Sequence, residues 1–185
     1  TLLAGEAISE NRIDETTLEV SSYTLRTLGL RMEHSAVGAG AQWTTWLTVE
    51  QGDAAGPATP PLGGAPIADT LAARGQLYLR RTRPWANGQT ASVQSVTAQY
   101  SGSRLFPLQQ MSLLADSTVR GFVDTSASGN TALAVRAELN HGWQRASERL
   151  PGSMQSFVGV DAGWIGNDNS VASATRAVSF STGLL

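Results

Sequence analysis

The chain has 185 residues, a length that suits one ordinary domain. Charged residues make up only 15% of it, and the net charge of -2 gives no indication of a nucleic-acid partner. Cysteine is absent, which excludes disulfides, thiol catalysis and zinc–thiolate sites. No run of about 18 apolar residues occurs, so a membrane-spanning role would require β-structure.

Alternation of apolar and polar side chains predicts strands along most of the chain. In one clear example Leu28, Leu30 and Met32 share a face, and polar or small residues lie between them. The predicted strands, in chain order, are residues 1–8, 16–22, 28–34, 42–50, 76–83, 90–100, 132–140, 155–163 and 177–184. The pattern therefore predicts an all-β chain of roughly nine strands.

The predicted connections alternate in length. Residues 35–41, 84–89 and 141–154 are short or medium, whereas residues 51–75, 101–131 and 164–176 are longer and rich in Gly, Pro, Ser and Asp. All the long ones fall at one edge of an antiparallel sheet, as in outer-membrane barrels, which have short periplasmic turns and long external loops. A soluble β-sandwich also shows alternating faces, so periodicity alone leaves both architectures open.

Two short motifs, one with an arginine and a later one with an aspartate, are separated by a predicted strand. Residues 117–122 read Ser-Thr-Val-Arg-Gly-Phe, and residues 160–163 read Val-Asp-Ala-Gly, with the alternating strand 133–140 between them. An arginine on a loop can meet an aspartate inside a later strand only if the loop folds back onto that strand. In a closed barrel, the meeting place would be the lumen.

The segment 109–122 resembles the signature loop of two-partner secretion transporters. These are outer-membrane barrels that export filamentous haemagglutinins, haemolysins and contact-dependent inhibition toxins, and their superfamily also contains the barrel-assembly insertases. The stretches 11–31, 128–139 and 157–163 resemble other parts of the same barrels, in the same order. The resemblance covers most of the chain.

The resemblance implies a transmembrane antiparallel β-barrel with an inward-folded extracellular loop, of which residues 1–185 would form a part. The function it implies is a pore that translocates a partner exoprotein, such as a haemolysin, adhesin or toxin, from the periplasm to the cell surface. The expected partners are that secreted substrate, outer-membrane lipid and periplasmic transport domains of the same protein. Those domains, and the first and last barrel strands, are expected to lie outside this chain.

The same resemblance assigns residues to the loop and to the wall. The lumenal loop motif would be Val119, Arg120, Gly121 and Phe122, with Arg120 paired to the carboxylate of Asp161. Further wall contacts would come from Glu138 and Gly163. Arginine suits this task because its planar fork can hold a carboxylate through two hydrogen bonds.

Two departures from the family pattern concern the same region. Ala115 and Asp116 stand where the family usually has two glycines, and Gly159 stands where an aromatic residue usually precedes the aspartate. These differences affect the expected path of the loop and the packing beneath it.

Two alternatives remain open on the sequence alone. One keeps the superfamily and makes the protein a barrel-assembly-type insertase or a plain pore, while the other is a soluble secreted β-sandwich or adhesin. No motif indicates an enzyme, a cofactor or a metal site: the two histidines fall on different predicted elements, and residues 167–169 lack the later acidic ligand of a calcium loop.

Overall fold

A single antiparallel sheet of eight strands dominates the structure, a computed structural model that describes residues 1–9, 12–13, 16–17, 23–55, 71–86, 88–113, 118–120, 127–143, 154–166 and 175–184. In chain order the strands are β1 (Leu2–Ser9), β2 (Arg12–Ile13), β3 (Thr16–Thr17), β4 (Tyr23–Gly38), β5 (Ala41–Ala55), β6 (Leu71–Pro84), β7 (Thr90–Tyr100), β8 (Met111–Ser112), β9 (Ser128–Gly129), β10 (Thr131–Trp143), β11 (Met154–Gly166) and β12 (Thr175–Leu184). One turn of 3-10 helix, Pro107–Gln109, precedes β8.

The eight long strands follow one another across the sheet in the order β1-β4-β5-β6-β7-β10-β11-β12. The all-β prediction is thus confirmed, and eight of the nine predicted strands correspond to these. The remaining one, 16–22, is represented only by β3, which pairs with β2 outside the large sheet; the rest of that segment lies outside the described residues. Within the described residues, no helix has the length and hydrophobicity needed to cross a bilayer.

The ends of the strands lie along two opposite sides of the sheet, which we call its edges and which are distinct from the outermost strands β1 and β12. A short-turn edge carries the connections β4–β5, β6–β7 and β10–β11, and the first of these is a two-residue turn at Ala39 and Gly40, both with positive φ. Such turns match the twist of paired strands. The opposite, long-loop edge carries the connections 56–70, 101–130 and 167–174. The predicted alternation in length holds for the β4–β5 and β6–β7 turns, whereas residues 144–153 on the short-turn edge form a longer connection than residues 167–174 on the opposite edge.

The two faces of the sheet differ in chemistry. Residues 105–113 and 118–120 pack against one face, which we call the inner face; the other is the outer face. Large apolar side chains line the outer face, including Leu28 (60% exposed), Val158 (55%) and Phe180 (85%). An apolar surface of this extent is unusual for a soluble monomer and indicates a membrane or protein contact.

The buried apolar cluster lies between the β7–β10 connection (residues 101–130), which we call the loop, and the inner face of the sheet, which we call the wall. Leu113 and Val119 come from the loop, and the wall beneath them is built from small residues and one large one, namely Ala132, Ala134, Ala177 and Ile165. Leu113 is fully buried and Val119 almost so. Small wall residues let the loop approach the sheet closely, so this buried cluster of the described residues is a contact between loop and wall.

A charge on the outer face should be costly if that face meets lipid. We expect Val135→Arg, near the middle of β10, to lower the free energy of unfolding from a bilayer by about 2–4 kcal/mol, because the guanidinium would lose its hydration. Denaturant unfolding of the protein in lipid vesicles measures this free energy. Ser35→Arg, on the inner face of β4, is the control and should have a far smaller effect; equal losses for the two variants would contradict the assignment of the faces.

Candidate functional site

The long connection between β7 and β10 is closed at its base and turns back onto the sheet. β8 and β9 pair with each other, with Met111 opposite Gly129, and Leu113 N donates to the carbonyl oxygen of Ala127 at 2.8 Å. Val119 N then donates to the carbonyl oxygen of Leu113 at 3.1 Å. The hydroxyl of Thr118 donates to the same carbonyl. These bonds bring residues 118–120 against the inner face.

Arg120 binds the carboxylate of Asp161 through three hydrogen bonds. Its Nε donates to Asp161 Oδ2 at 2.8 Å, its Nη2 donates to Oδ1 at 3.0 Å, and its backbone N–H donates to Oδ2 at 3.1 Å. The Asp161 side chain is fully buried at 0% exposure, and Arg120 is 18% exposed. The fork geometry fixes both the position and the orientation of the guanidinium.

Two neighbours on β10 complete the charge network. Glu138 Oε2 accepts a hydrogen bond from Arg120 Nη1 at 2.7 Å, and Arg136 Nε donates to Asp161 Oδ1 at 3.2 Å. Arg136 also donates from Nη2 to the carbonyl oxygen of Thr118 at 3.3 Å, so the wall holds the loop backbone as well. Asn140 Nδ2 donates to Glu138 Oε1 at 2.7 Å and orients that carboxylate. Two arginines and two carboxylates therefore balance one another, as burial requires.

The surroundings of the guanidinium account for one departure from the family pattern. A Cβ atom at Gly159 would lie 2.7 Å from Arg120 Nη2, so a side chain there would displace the arginine. The ring of Phe157, on the same face of β11, has its centroid 5.4 Å from Arg120 Cζ. Gly159 thus leaves room for the guanidinium. Phe157, two residues earlier and on the same face of β11, supplies the aromatic contact.

Gly163 lies under the apolar part of the loop. A Cβ atom at this position would overlap Leu113 Cδ1 and would lie 2.9 Å from Val119 Cγ2. The structure therefore places Val119, Arg120, Glu138, Asp161 and Gly163 in one contact between loop and wall. The two other residues of the predicted motif, Gly121 and Phe122, lie outside the described residues.

A second polar contact holds the first part of the loop, and the sequence reasoning missed it. Arg74, on the inner face of β6, donates from Nη1 to the carbonyl oxygen of Gln109 at 2.6 Å. Its other nitrogens bind Glu50 Oε2, with Nη2 at 2.6 Å and Nε at 2.8 Å. Both side chains are largely buried, so this ion pair is shielded from water.

Glycines and a glutamine shape the wall around this second contact. A Cβ atom at Gly52 would lie 2.5 Å from Gln109 Nε2, and one at Gly29 would lie 2.5 Å from Glu50 Cγ. Gln99 Nε2 donates to the carbonyl oxygen of Gln109 at 3.1 Å. Glycine inside a strand can mark a close approach of another segment, but the sequence alone does not show which segment approaches.

A larger side chain at Gly163 should dislodge the loop. We expect Gly163→Val to destabilise the docked loop by about 1–3 kcal/mol, since the new methyl groups would overlap Leu113 and Val119. Because residues 1–185 contain no cysteine, Ser112→Cys gives this part of the protein a single thiol, and its labelling rate reports loop release. Ala162→Val, the adjacent residue on the outer face, is the control and should leave that rate unchanged; a slow rate in Gly163→Val would argue against the close contact.

Comparison with known proteins agrees with these observations. The family model described as haemolysin secretion/activation protein ShlB/FhaC/HecB matches residues 5–185. A curated relative, outer membrane transporter CdiB of Escherichia coli, is 29% identical over 173 residues, which cover 88% of this chain and 27% of the relative. The CdiB of Dickeya dadantii (strain 3937) is 36% identical over 83 residues, 43% of this chain and 14% of that protein.

Solved structures give the same answer for the fold. CdiB from Escherichia coli matches with a TM-score of 0.79 and 25% identity, over 97% of this chain and 33% of that chain. CdiB from Acinetobacter baumannii matches with a TM-score of 0.72 at 18% identity, over 97% and 30%. The chain thus spans about a third or less of the proteins it matches. Its open sheet is part of a transmembrane barrel, as predicted, and the chain belongs to the haemolysin secretion/activation protein family ShlB/FhaC/HecB, the two-partner secretion transporters of the bacterial outer membrane.

Proposed function

We propose that the protein carrying this chain is a pore that translocates a partner exoprotein, a haemolysin, adhesin or toxin, from the periplasm to the cell surface. Residues 1–185 would form part of a single barrel domain, and periplasmic transport domains of the same protein would deliver the substrate. Family membership and the likeness to CdiB support this function. The apolar outer face supports a position in lipid, with outer-membrane lipid as its surroundings.

The observation that carries the proposal is the loop bound to the inner face by Arg120 and Asp161. In a closed barrel the inner face borders the lumen, so the loop occupies space that a transported chain would need. The contact consists of hydrogen bonds, charge pairing and apolar packing, with no covalent bond, which means that it can open and reform. The role we assign to Val119 and Arg120 is to seat this loop, and the role of Glu138, Asp161 and Gly163 is to receive it.

The inner face beside the loop suits an extended polypeptide. Trp46 and Tyr78 stack with ring centroids 5.4 Å apart, and Arg31 Cζ lies 4.8 Å from the centre of the Trp46 ring. A cavity of about 330 Å³ lies between this wall and the loop, lined in part by Met111 and Thr118. Aromatic and polar groups together can contact a chain of varied sequence without requiring one particular side chain.

Removing the charges of the network should reduce export in a graded way. We expect Arg120→Ala and Asp161→Asn to reduce export strongly, because breaking a buried ion pair costs about 3–5 kcal/mol and the released loop then no longer holds strands β10 and β11 in place. Glu138→Gln should have a smaller effect, since Glu138 is 18% exposed and makes one bond to Arg120 whereas Asp161 makes three. The measurement is the amount of partner exoprotein that reaches the cell surface.

Insertion into the membrane must be measured in the same cells, because the proposal concerns export. Arg120→Ala protein should be present in the outer membrane in normal amount. Arg80→Gln, a change of an inward-facing arginine on β6 outside this network, is the matched control and should export normally. Normal export by Arg120→Ala would remove the loop contact from the mechanism.

The two contacts of the loop should act together on the pore. We expect Arg74→Gln and Arg120→Ala each to raise the conductance of single pores in planar bilayers modestly. The double variant should raise it by more than the sum of the two, because each contact still holds the loop when the other is lost. Strict additivity would mean that the contacts hold independent parts of the loop.

A further inference from the structure

Two arginines stand on the outer face of β6 near the short-turn edge. The register places Arg81 opposite Trp43 on one side and Gln94 on the other, and Arg83 opposite Ser92. Toward the long-loop edge, the preceding outward residues of the same strand are Leu77 and Leu79. The strand thus changes from apolar to cationic as it approaches the short-turn edge, which is the pattern expected where a lipid-facing surface meets the headgroups.

The donors of Arg81 are only partly used. Its Cζ lies 5.3 Å from the centre of the Trp43 ring, and Nη1 donates to Gln94 Oε1 at 3.4 Å. Its Nε is buried and has no hydrogen-bond partner among the described residues. Within the same part of the chain, no carboxylate forms an ion pair with Arg81 or with Arg83. Two cations at the border of an apolar surface, with no carboxylate partner among the described residues, leave donors available to an anion.

A cavity lies beside these arginines. It has a volume of about 410 Å³ and is lined by Arg81, Arg83, Pro84, Trp85, Ala86 and Ser92. Trp85 is exposed in the turn, where an indole ring commonly sits at the level of the headgroups. The cavity therefore combines guanidinium donors, a hydroxyl and an amphipathic ring at one site.

We propose that Arg81 and Arg83 bind the phosphate of a phospholipid in the leaflet on the short-turn side of the membrane. Guanidinium groups match phosphate oxygens through paired hydrogen bonds. The lipid is favoured over free phosphate because the site is continuous with the apolar surface at Leu77 and Leu79, which can contact the acyl chains. The site is separate from the loop contact, which lies on the opposite face of the sheet.

The test uses the full-length protein, purified in detergent, stripped of lipid and titrated with phosphatidylglycerol. Native mass spectrometry counts the lipid molecules that remain bound. We expect R81Q/R83Q to bind the first lipid about ten- to thirtyfold more weakly than the unchanged protein, the effect of two cations at a lipid surface. The matched control is R80Q, which removes a neighbouring arginine that faces inward. It should bind as tightly as the unchanged protein.

Three outcomes would overturn the proposal. The first is unchanged lipid binding by R81Q/R83Q, and the second is an equal loss of binding in R80Q. The third is displacement of the bound lipid by inorganic phosphate added at the concentration at which the lipid itself saturates the site. The last would identify a site for a free anion. If R81Q/R83Q does not fold, as judged by circular dichroism, R81K/R83K replaces it. This variant keeps both charges but loses the planar guanidinium, so it should bind lipid more weakly than the unchanged protein. Equal binding would reject the paired hydrogen bonds.

Discussion

The buried carboxylate of Asp161 sets the main constraint on this structure. A carboxylate at 0% exposure is tolerated only when donors surround it, and here four N–H groups from two arginines do so. One of those arginines, Arg120, belongs to the loop, so the wall is electrostatically complete only when the loop is docked. The fold and the position of the loop are therefore parts of one arrangement.

The division of the sheet into two faces comes from the alternation of side chains along each strand and fits this arrangement. A soluble domain buries its apolar residues between layers, whereas here the large apolar side chains point outward and the described core is a small cluster between loop and wall. Small residues such as Ala132 and Ala134 leave room for Leu113 and Val119 on the inner side. The outer face leaves Leu28 and Phe180 exposed, so its natural solvent is lipid.

Much of the fold could be predicted from the sequence because side chains in a strand alternate strictly. That rule correctly predicts that Leu28, Leu30 and Met32 share one face, and the resemblance leads us to expect the pairing of Arg120 with Asp161. The ion pair between Glu50 and Arg74 could not be predicted, since charged residues on polar strand faces occur at many positions in this chain. Only the structure shows that the carbonyl oxygen of Gln109 accepts a hydrogen bond from Arg74, so that this pair holds the loop. The role of Gly159 was also hidden, because the absence of a side chain is informative only once the occupant of the space is known.

The long connection between β7 and β10 has a consequence for strand register. A tight turn, such as that at Ala39 and Gly40, sets the pairing of its strands directly, but a connection that spans residues 101–130 leaves the β7–β10 register unspecified. A shift of two residues would preserve the alternation of faces, yet it would carry Glu138 and Asp161 away from the arginine that binds them. Only the native offset of these two strands lets the charges meet, so the register of the wall and the docked position of the loop determine each other.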